Sequence, residues 1–303
     1  MPLRPAKELL QDALANGYAV GYFESWNLES LQGVIDAAEA THSPVLIGFN
    51  GEFLSHSARL ASERISWYAA LGRAAAESAS VPCGLIFNEC AQDDWIQLAV
   101  RSGFSQVMLD DPAASHDEYV RRVKELTTYA HLLGVAVEAG VGHLPCGSSG
   151  TIETGDSLLT DAQAAAQFVQ DTHIDILAVS VGNVHILVQG EQGLELDRLA
   201  AIRRACPRIA GRVDIPFDLH GGTGIAADAL QKAISMGVAK VCYGTYLKQR
   251  YLAAVRAALD SDQINPHRLL GYGGREDVMV AGRLAVRDAV LERIALLGCC
   301  QRA

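Results

Sequence analysis

The chain has 303 residues, 50% of them hydrophobic, and its mean hydropathy is +0.13. A chain of this length and composition can bury a large core. Its 35 acidic residues outnumber its 25 basic residues, which gives a net charge of -10. This charge disfavours nucleic acids and anionic membranes as partners, because both would be repelled. Composition therefore predicts a globular protein and says no more about its function.

The start of the chain and its cysteines predict a cytoplasmic location. The first ten residues place a charge in every apolar run, and no later window is long and uncharged enough for a membrane span. The seven cysteines are odd in number and lack CxxC spacings. This usage favours reduced thiols over disulfides or a zinc finger.

Short apolar or β-branched runs alternate with longer amphipathic stretches, as in repeated βα units. The runs predicted as strands are Gly17 to Phe23, Pro44 to Phe49, Cys83 to Phe87, Gln106 to Leu109, Val135 to Glu138, Ile176 to Val181, Ile215 to Leu219 and Ala239 to Tyr243. Parallel strands separated by single helices predict an α/β fold, a closed (β/α)₈ TIM barrel. No linker or charge block divides the chain, so we expect a single domain over residues 1–303.

Helical patterns fill the intervals between these runs. They are Leu28 to Ala40, Ala58 to Ser78, Trp95 to Ser102, Asp117 to Leu133, Asp161 to Asp171, Leu196 to Ala205 and Ala226 to Gly237. Asn27 is placed to cap the first of them, and Gly103, Gly134 and Gly237 stand where helices end. Two further helices, Leu247 to Leu259 and Gly282 to Leu297, are expected to complete the barrel or form an oligomer contact, with a turn-rich arm between them.

Polar residues that follow the strands of such a barrel point into its active-site mouth. Here they are Glu24, Asn50, Asn88, Glu89, Asp110, Asp111, Glu138, Asn183, His185, His220, Gly244 and Thr245. Converging carboxylates, amides and imidazoles favour a divalent-metal site, with His185 and His220 as the best ligands. A single histidine is more often a loop hydrogen-bonding group. Glu89 also suits a helix N-terminus, and Asp110 suits a βα turn.

The segment Leu219 to Ile225 reads LHGGTGI and is the sharpest local motif. Its glycines let the backbone approach an anion, and the N–H groups near Gly222 and Thr223 are suited to bind phosphate. Gly244 and Thr245 supply a second donor set after the eighth strand. Loops after strands seven and eight are the usual phosphate site of a barrel.

The chain resembles the class II, zinc-dependent ketose-bisphosphate aldolases, a family that includes fructose- and tagatose-bisphosphate aldolases. The resemblance runs almost end to end and rests on segments such as YAHLLGVAVEAGVG, DILAVSVGNVH, DIPFDLHGGTGI and ALQKAISMGVAKV. It implies a TIM barrel, a divalent metal (Zn²⁺ in most members), a homodimer or homotetramer, and ligand roles for His185 and His220. It also implies substrate or phosphate contacts from Gly221, Gly222, Thr223, Gly244, Thr245, Asn50 and Asn183.

Several positions depart from the family pattern. Members carry HLDHG after the third strand, with a catalytic aspartate and a zinc-binding histidine, whereas this chain has Asn88 and Glu89. An amide cannot exchange the proton that a carboxylate would. Glu89 can still complete a ligand set of two histidines and one carboxylate. Proton transfer then falls to Glu138, Asp110 or Glu24.

Further departures affect the loops. The family's active-site loop carries a glutamate, but residues 144–150 contain no acid, and Glu153 is the nearest substitute. A glycine and a lysine of the family are Ile186 and Gln189 here, and its eighth-strand asparagine is Cys242. The family's first-strand asparagine is Glu24, and its second-strand serine or threonine is Asn50.

The leading hypothesis is a metal-dependent lyase that makes or breaks a carbon–carbon bond next to a carbonyl. Its substrate would be a sugar-like hydroxy-carbonyl compound with a small phosphate or none. A second hypothesis keeps the metal and the enediolate chemistry but makes the protein an isomerase, epimerase or dehydratase. A third makes it a non-catalytic ligand-binding barrel descended from an aldolase. Metal content separates the third hypothesis from the first two.

Overall fold

The computed structural model describes residues 2–149, 152, 159–206 and 214–303. Eight parallel strands form a closed barrel in chain order, with β1 paired to β8, which confirms the predicted TIM barrel. The strands are β1 Val20–Glu24, β2 Val45–Asn50, β3 Cys83–Cys90, β4 Gln106–Leu109, β5 Ala136–Val141, β6 Ile176–Val179, β7 Phe217–Leu219 and β8 Val238–Tyr243. They are buried almost throughout because helices cover their outer faces.

Helices connect successive strands and surround the barrel. In the described residues they are α1 Ala6–Asn16, α2 Leu28–Thr41, α3 Gly51–Ser55, α4 Ile65–Ser78, α5 Asp93–Ser102, α6 His116–Leu132, α7 Ala162–Thr172, α8 Leu196–Ala205, α9 Ala227–Ser235, α10 Thr245–Leu259, α11 Pro266–Leu269 and α12 Val278–Leu297. The sequence did not predict α1, α3 or α11. The predicted helix Ala58 to Ser78 begins only at Ile65.

The predicted caps are confirmed where the helices begin and end. The side chain of Asn27 accepts a hydrogen bond from the Ser30 N–H at 2.9 Å. Gly103 ends α5 with φ +97°, a conformation that glycine adopts without steric cost. Because all eight strands run in parallel, their carboxyl ends, and the polar residues on them, lie at one rim of the barrel.

Helix α12 packs onto the barrel, which is the first of the two roles predicted for it. Its apolar residues, including Val286, Val290 and Ile294, are buried within the chain, where the helix packs against α2 and α10. Helix α10 leaves Leu252 and Leu259 exposed. No helix in the described part of the chain combines the length and apolarity needed to cross a membrane.

Candidate functional site

The end of β3 carries a bulge that turns Glu89 into the mouth of the barrel. The register with β4 shifts between Phe87 and Cys90, and Glu89 has φ +46°, in the left-handed region that most residues avoid. The prediction that this strand ends at Phe87 is wrong, because pairing resumes beyond the bulge between Cys90 and Leu109. Asn88 and Glu89 are therefore strand residues with fixed backbones.

The Glu89 carboxylate meets three polar side chains. The Nδ2 of Asn50 donates to its Oε2 at 2.5 Å, while its Oε1 lies 2.6 Å from Nδ1 of His220 and 3.7 Å from Nε2 of His185. Asn50 is itself held because its Oδ1 accepts from the Phe53 N–H at 3.2 Å. Burial opposes ionisation of Glu89, but the two histidines outweigh it and lower its pKa to about 2.

Two buried carboxylates orient His220 from the other side. Its Nε2 lies 2.9 Å from Oε1 of Glu138 and 2.9 Å from Oδ2 of Asp218. Burial opposes protonation of the ring, but Asp218 and Glu89 outweigh it and raise the pKa of His220. Because Glu138 and Asp218 both contact Nε2, the other ring nitrogen, Nδ1, faces Glu89. A carboxylate behind a histidine fixes the ring in this way at many metal sites.

A buried lysine balances these carboxylates. The Lys240 Nζ lies 2.5 Å from Oε2 of Glu138 and 3.0 Å from Oδ2 of Asp218, and none of the three side chains is exposed. Gln106 donates to the same Glu138 oxygen at 2.5 Å. Burial opposes the ammonium charge, but the two carboxylates raise the pKa of Lys240. The lysine therefore stays charged beneath the mouth.

His185 is held by its backbone. Its N–H donates to the Pro145 carbonyl and its carbonyl accepts from the Gly147 N–H, both at 2.8 Å. The next residue, Ile186, has φ +52°. The loop after β6 is thus tied to the loop after β5, which places the partly exposed imidazole next to Glu89. The predicted substitute acid Glu153 lies outside the described residues.

Two clefts meet at Glu89, His185 and His220, which line both of them. The cleft that we call the β8 cleft has a volume of about 200 Å³, and its lining includes Glu24, Asn50, Asn88, Gly221, Thr223, Gly244, Thr245 and Lys248. The one that we call the β4 cleft has a volume of about 530 Å³, and its lining includes Asp110, Asp111, His143 and Cys146. The structure thus brings most of the predicted site residues together around one central cluster.

Three predicted site residues line neither cleft. Glu138 lies beneath His220 with its oxygens engaged, so it supports the ring instead of meeting substrate. Asn183 is fully buried; its amide donates to the Val179 and His220 carbonyls and accepts from the Val181 N–H, so it holds the backbone after β7. Gly222 packs against β8. All three residues hold a ring or a stretch of backbone in this structure, and their predicted proton-transfer and substrate contacts stay predictions.

Asp110 faces solvent in the β4 cleft, although protein surrounds it on most sides. Burial, and to a smaller extent the nearby negative charge of Glu89, raises the pKa of Asp110 to about 6. Its neighbour Asp111 is instead paired with Arg122 at 2.5 Å. Of the predicted proton-transfer residues, Asp110 therefore combines access to a cleft with a pKa near neutrality.

A second group of potential metal ligands lies deeper. Atoms of Asp218, His220 and Cys242 lie within 4.8 Å of one another, and all three residues are buried. Burial raises the pKa of the Cys242 thiol, and its Sγ lies 3.2 Å from Asp218. The ammonium of Lys240 lies against the same Asp218 oxygen, so a cation here would be repelled at close range. The donor set at the clefts, Glu89 with the two histidines, suits a cation better.

The comparison with known proteins agrees with this architecture. The family model described as fructose-bisphosphate aldolase class-II matches residues 4–302. The chain belongs to that family. It is 30% identical over 315 residues to a fructose-bisphosphate aldolase from Thermus caldophilus, covering 98% of each chain. It is 31% identical over 287 residues to the Escherichia coli K12 protein YdjI, covering 95% of this chain and 94% of YdjI.

Solved structures of class II aldolase relatives have the same fold. The crystal structure of the YdjI aldolase from Escherichia coli K12 aligns with a TM-score of 0.78 at 30% identity and covers 99% of both chains. A putative fructose-1,6-bisphosphate aldolase from Coccidioides immitis aligns with a TM-score of 0.80 at 25% identity, covering 98% and 97% of the two chains. These matches confirm the predicted family.

Three charged residues of this site were not among those singled out from the sequence. The sequence analysis missed Asp218, Lys240 and Lys248, although each contacts a residue that it had singled out. A signal was present for two of them. Asp218 and Lys240 stand two positions before His220 and Cys242, and side chains two apart in a strand share a face.

Proposed function

We propose that the protein is a metal-dependent aldehyde-lyase that cleaves or forms a carbon–carbon bond next to the carbonyl of a polyhydroxy compound. The observation that carries this proposal is the meeting of Glu89, His185 and His220 at the junction of two clefts, in a chain of the class II aldolase family. Carbon–carbon cleavage yields two fragments, and each cleft accommodates one. The metal ligands lie where the broken bond must be.

The donor set fits a divalent metal, with zinc as the first choice. Two imidazoles and one carboxylate, with a position left for substrate, form a known catalytic zinc set. The Glu89 Oε1 lies 3.7 Å from the His185 Nε2 and 2.6 Å from the His220 Nδ1. The Glu89–His220 contact is a hydrogen-bond distance, so it would have to lengthen for these side chains to hold a metal. When bound, the metal would act as a Lewis acid on the substrate carbonyl.

Asp110 is the residue we assign to proton transfer. Asn88 lies at the family's catalytic aspartate position but carries an amide, which cannot exchange a proton at neutral pH. Glu24 is engaged by Lys248, and Glu138 lies beneath His220. In cleavage, the Asp110 carboxylate takes the proton of the hydroxyl whose carbon becomes the aldehyde. In condensation, the protonated acid returns it.

The substitution Asp110→Asn is expected to lower the cleavage rate about a hundredfold, at the lower end of general acid–base contributions, because cleft water can partly replace the carboxylate. Since cleavage needs the ionised form, the wild-type cleavage rate should rise with pH through about 6 and then level off. The condensation rate should fall over the same range. The measurement is kcat against pH in both directions.

Asp117→Asn is the matched control for this experiment, because Asp117 is an exposed residue in the first turn of α6. It should leave rate and pH profile unchanged. If the change in kcat near pH 6 seen in the wild type persists in Asp110→Asn, Asp110 is not the proton-transfer residue.

Metal content and cleavage test the proposed function together. We would purify the protein without chelator, measure bound metal by elemental analysis, and follow aldehyde release from a panel of ketoses and ketose phosphates. About one metal per chain with metal-dependent aldehyde release supports the lyase. Metal-dependent exchange of substrate hydrogen with deuterated water, without aldehyde release, would favour the isomerase or epimerase instead. Metal-free protein that takes up no zinc, cobalt or manganese would contradict both.

A further inference from the structure

Glu24 and Lys248 form an ion pair inside the β8 cleft. The Lys248 Nζ lies 2.6 Å from the Glu24 Oε1, with side-chain exposures of 33% and 10%. The ammonium also lies 4.1 Å from the centre of the Phe53 ring and 5.9 Å from that of Trp26, so two aromatic rings attract it as well as the carboxylate. The ion pair and the aromatic rings around Lys248 thus fix both side chains in the wall of the cleft.

Glu24 places its carboxylate at the start of α10. A Cβ on Gly244, the residue that precedes this helix, would lie 2.2 Å from the Glu24 Oε2. Only glycine therefore allows the carboxylate to approach this closely. A helix N-terminus is where a phosphate would otherwise bind in a barrel of this type. The chain fills that position with an anion of its own.

The remaining phosphate-loop features have structural explanations. Gly221 has φ +68°, and a Cβ there would lie 2.1 Å from the Val184 carbonyl oxygen, so the fold itself requires glycine. The Thr223 hydroxyl accepts from the Tyr246 N–H at 3.2 Å, which ties the loop after β7 to α10. Neither residue needs a phosphate to explain its presence.

The hydrogen-bonding groups offered by the β8 cleft are mixed. Among the described residues, the Asn88 Oδ1 is buried without a partner, although Asn88 is 2% exposed and lines the cleft. The Glu24 Oε2 likewise receives no hydrogen bond in the described part of the chain, whereas Lys248 is a donor. Phosphate only accepts, so it would lie against the unpaired Glu24 Oε2 without forming a hydrogen bond to it. A hydroxyl donates and accepts, so a hydroxylated end satisfies both kinds of group.

We propose that the β8 cleft binds an uncharged, hydroxyl-bearing end of the substrate and that the Glu24–Lys248 pair excludes a phosphate from it. This inference rests on the proposed lyase function, since it names the substrate class of that site. Any phosphate on the substrate then belongs to the end that lies in the β4 cleft. Glu24 is a specificity-determining residue.

Binding of dihydroxyacetone and of dihydroxyacetone phosphate tests the proposal, because the two differ only in the phosphate. The metal-loaded protein should bind the phosphate ester no more tightly than the unphosphorylated ketone in competition NMR. In Glu24→Gln, which keeps the shape and frees the ammonium, affinity for the ester should rise about tenfold, because a like charge has been removed. The double variant Glu24→Gln with Lys248→Gln should lose this gain.

Glu77→Gln is the control for the change in net charge, since Glu77 forms an exposed pair with Arg73 on α4, and it should bind both ketones as the wild type does. Wild-type preference for the ester by tenfold or more, or an unchanged ester affinity in Glu24→Gln, would overturn the proposal. Binding is read without turnover. Protein that shows the expected binding pattern but cleaves no ketose would contradict the lyase function alone.

Discussion

His185→Ala and His220→Ala are each expected to lose the bound metal and, with it, at least about a thousandfold in cleavage rate, or roughly 4 kcal/mol of transition-state stabilisation. Each substitution removes one of three donors that meet at the junction of the clefts. His220→Ala should have the larger effect on folding as well, because it removes one of the two partners that Glu138 and Asp218 share and leaves them with Lys240 alone. Elemental analysis of each purified variant, followed by aldehyde release with added zinc, provides the measurement.

His116→Ala is the matched control, since His116 is exposed at the start of α6. It should retain wild-type metal content and rate. The result to watch for is a metal-replete His185→Ala protein, because this would move the site to the buried group of Asp218, His220 and Cys242. Loss of metal in His220→Ala alone would have the same meaning, since His220 belongs to both groups.

Strand positions were predictable because the barrel buries apolar runs of regular length. β4 and α8 have the predicted bounds, and most other elements differ by a few residues at an end. The end of β3 was not predictable from local pattern. It depends on a register shift against β4 and a positive φ at Glu89, which are tertiary features that hydrophobic periodicity does not encode.

The candidate site was predictable to the extent that it lies at strand ends. Glu24, Glu89, His185 and His220 follow from that rule, and they line the clefts. The rule does not distinguish a residue that points into the mouth from one that lies beneath it. Glu138 was selected by the same strand-end rule, yet it is fully buried under His220.

Lys248 shows a different limit of sequence reasoning. It lies one turn into α10, so no strand-end rule selects it, and its partner Glu24 is 224 residues away in the chain. The pair forms because closure of the barrel brings β1 beside β8. Closure of the sheet, not local sequence, therefore decides which charged side chains meet in the β8 cleft.

Lys240→Met is expected to lower the free energy of unfolding by about 3–5 kcal/mol, the usual cost of removing one partner from a buried ion pair. The methionine fills similar volume, so the loss arises from charge and not from a cavity. Without the ammonium, Glu138 and Asp218 lie unbalanced in a fully buried site, with His220 as their remaining cationic partner. Denaturant unfolding followed by circular dichroism measures the loss.

The double variant Lys240→Met with Asp218→Asn separates charge balance from packing. Removal of one negative charge together with the positive one should recover a large part of the stability lost in the single variant, because the remaining carboxylate still pairs with His220. Lys232→Met provides the surface comparison, since Lys232 pairs with Asp228 at 3.6 Å with both side chains exposed, and it should unfold nearly as the wild type does. If Lys240→Met were as stable as Lys232→Met, the buried lysine would not balance the carboxylates, and the orientation of His220 would have to come from Glu89 and the backbone contact of Asn183.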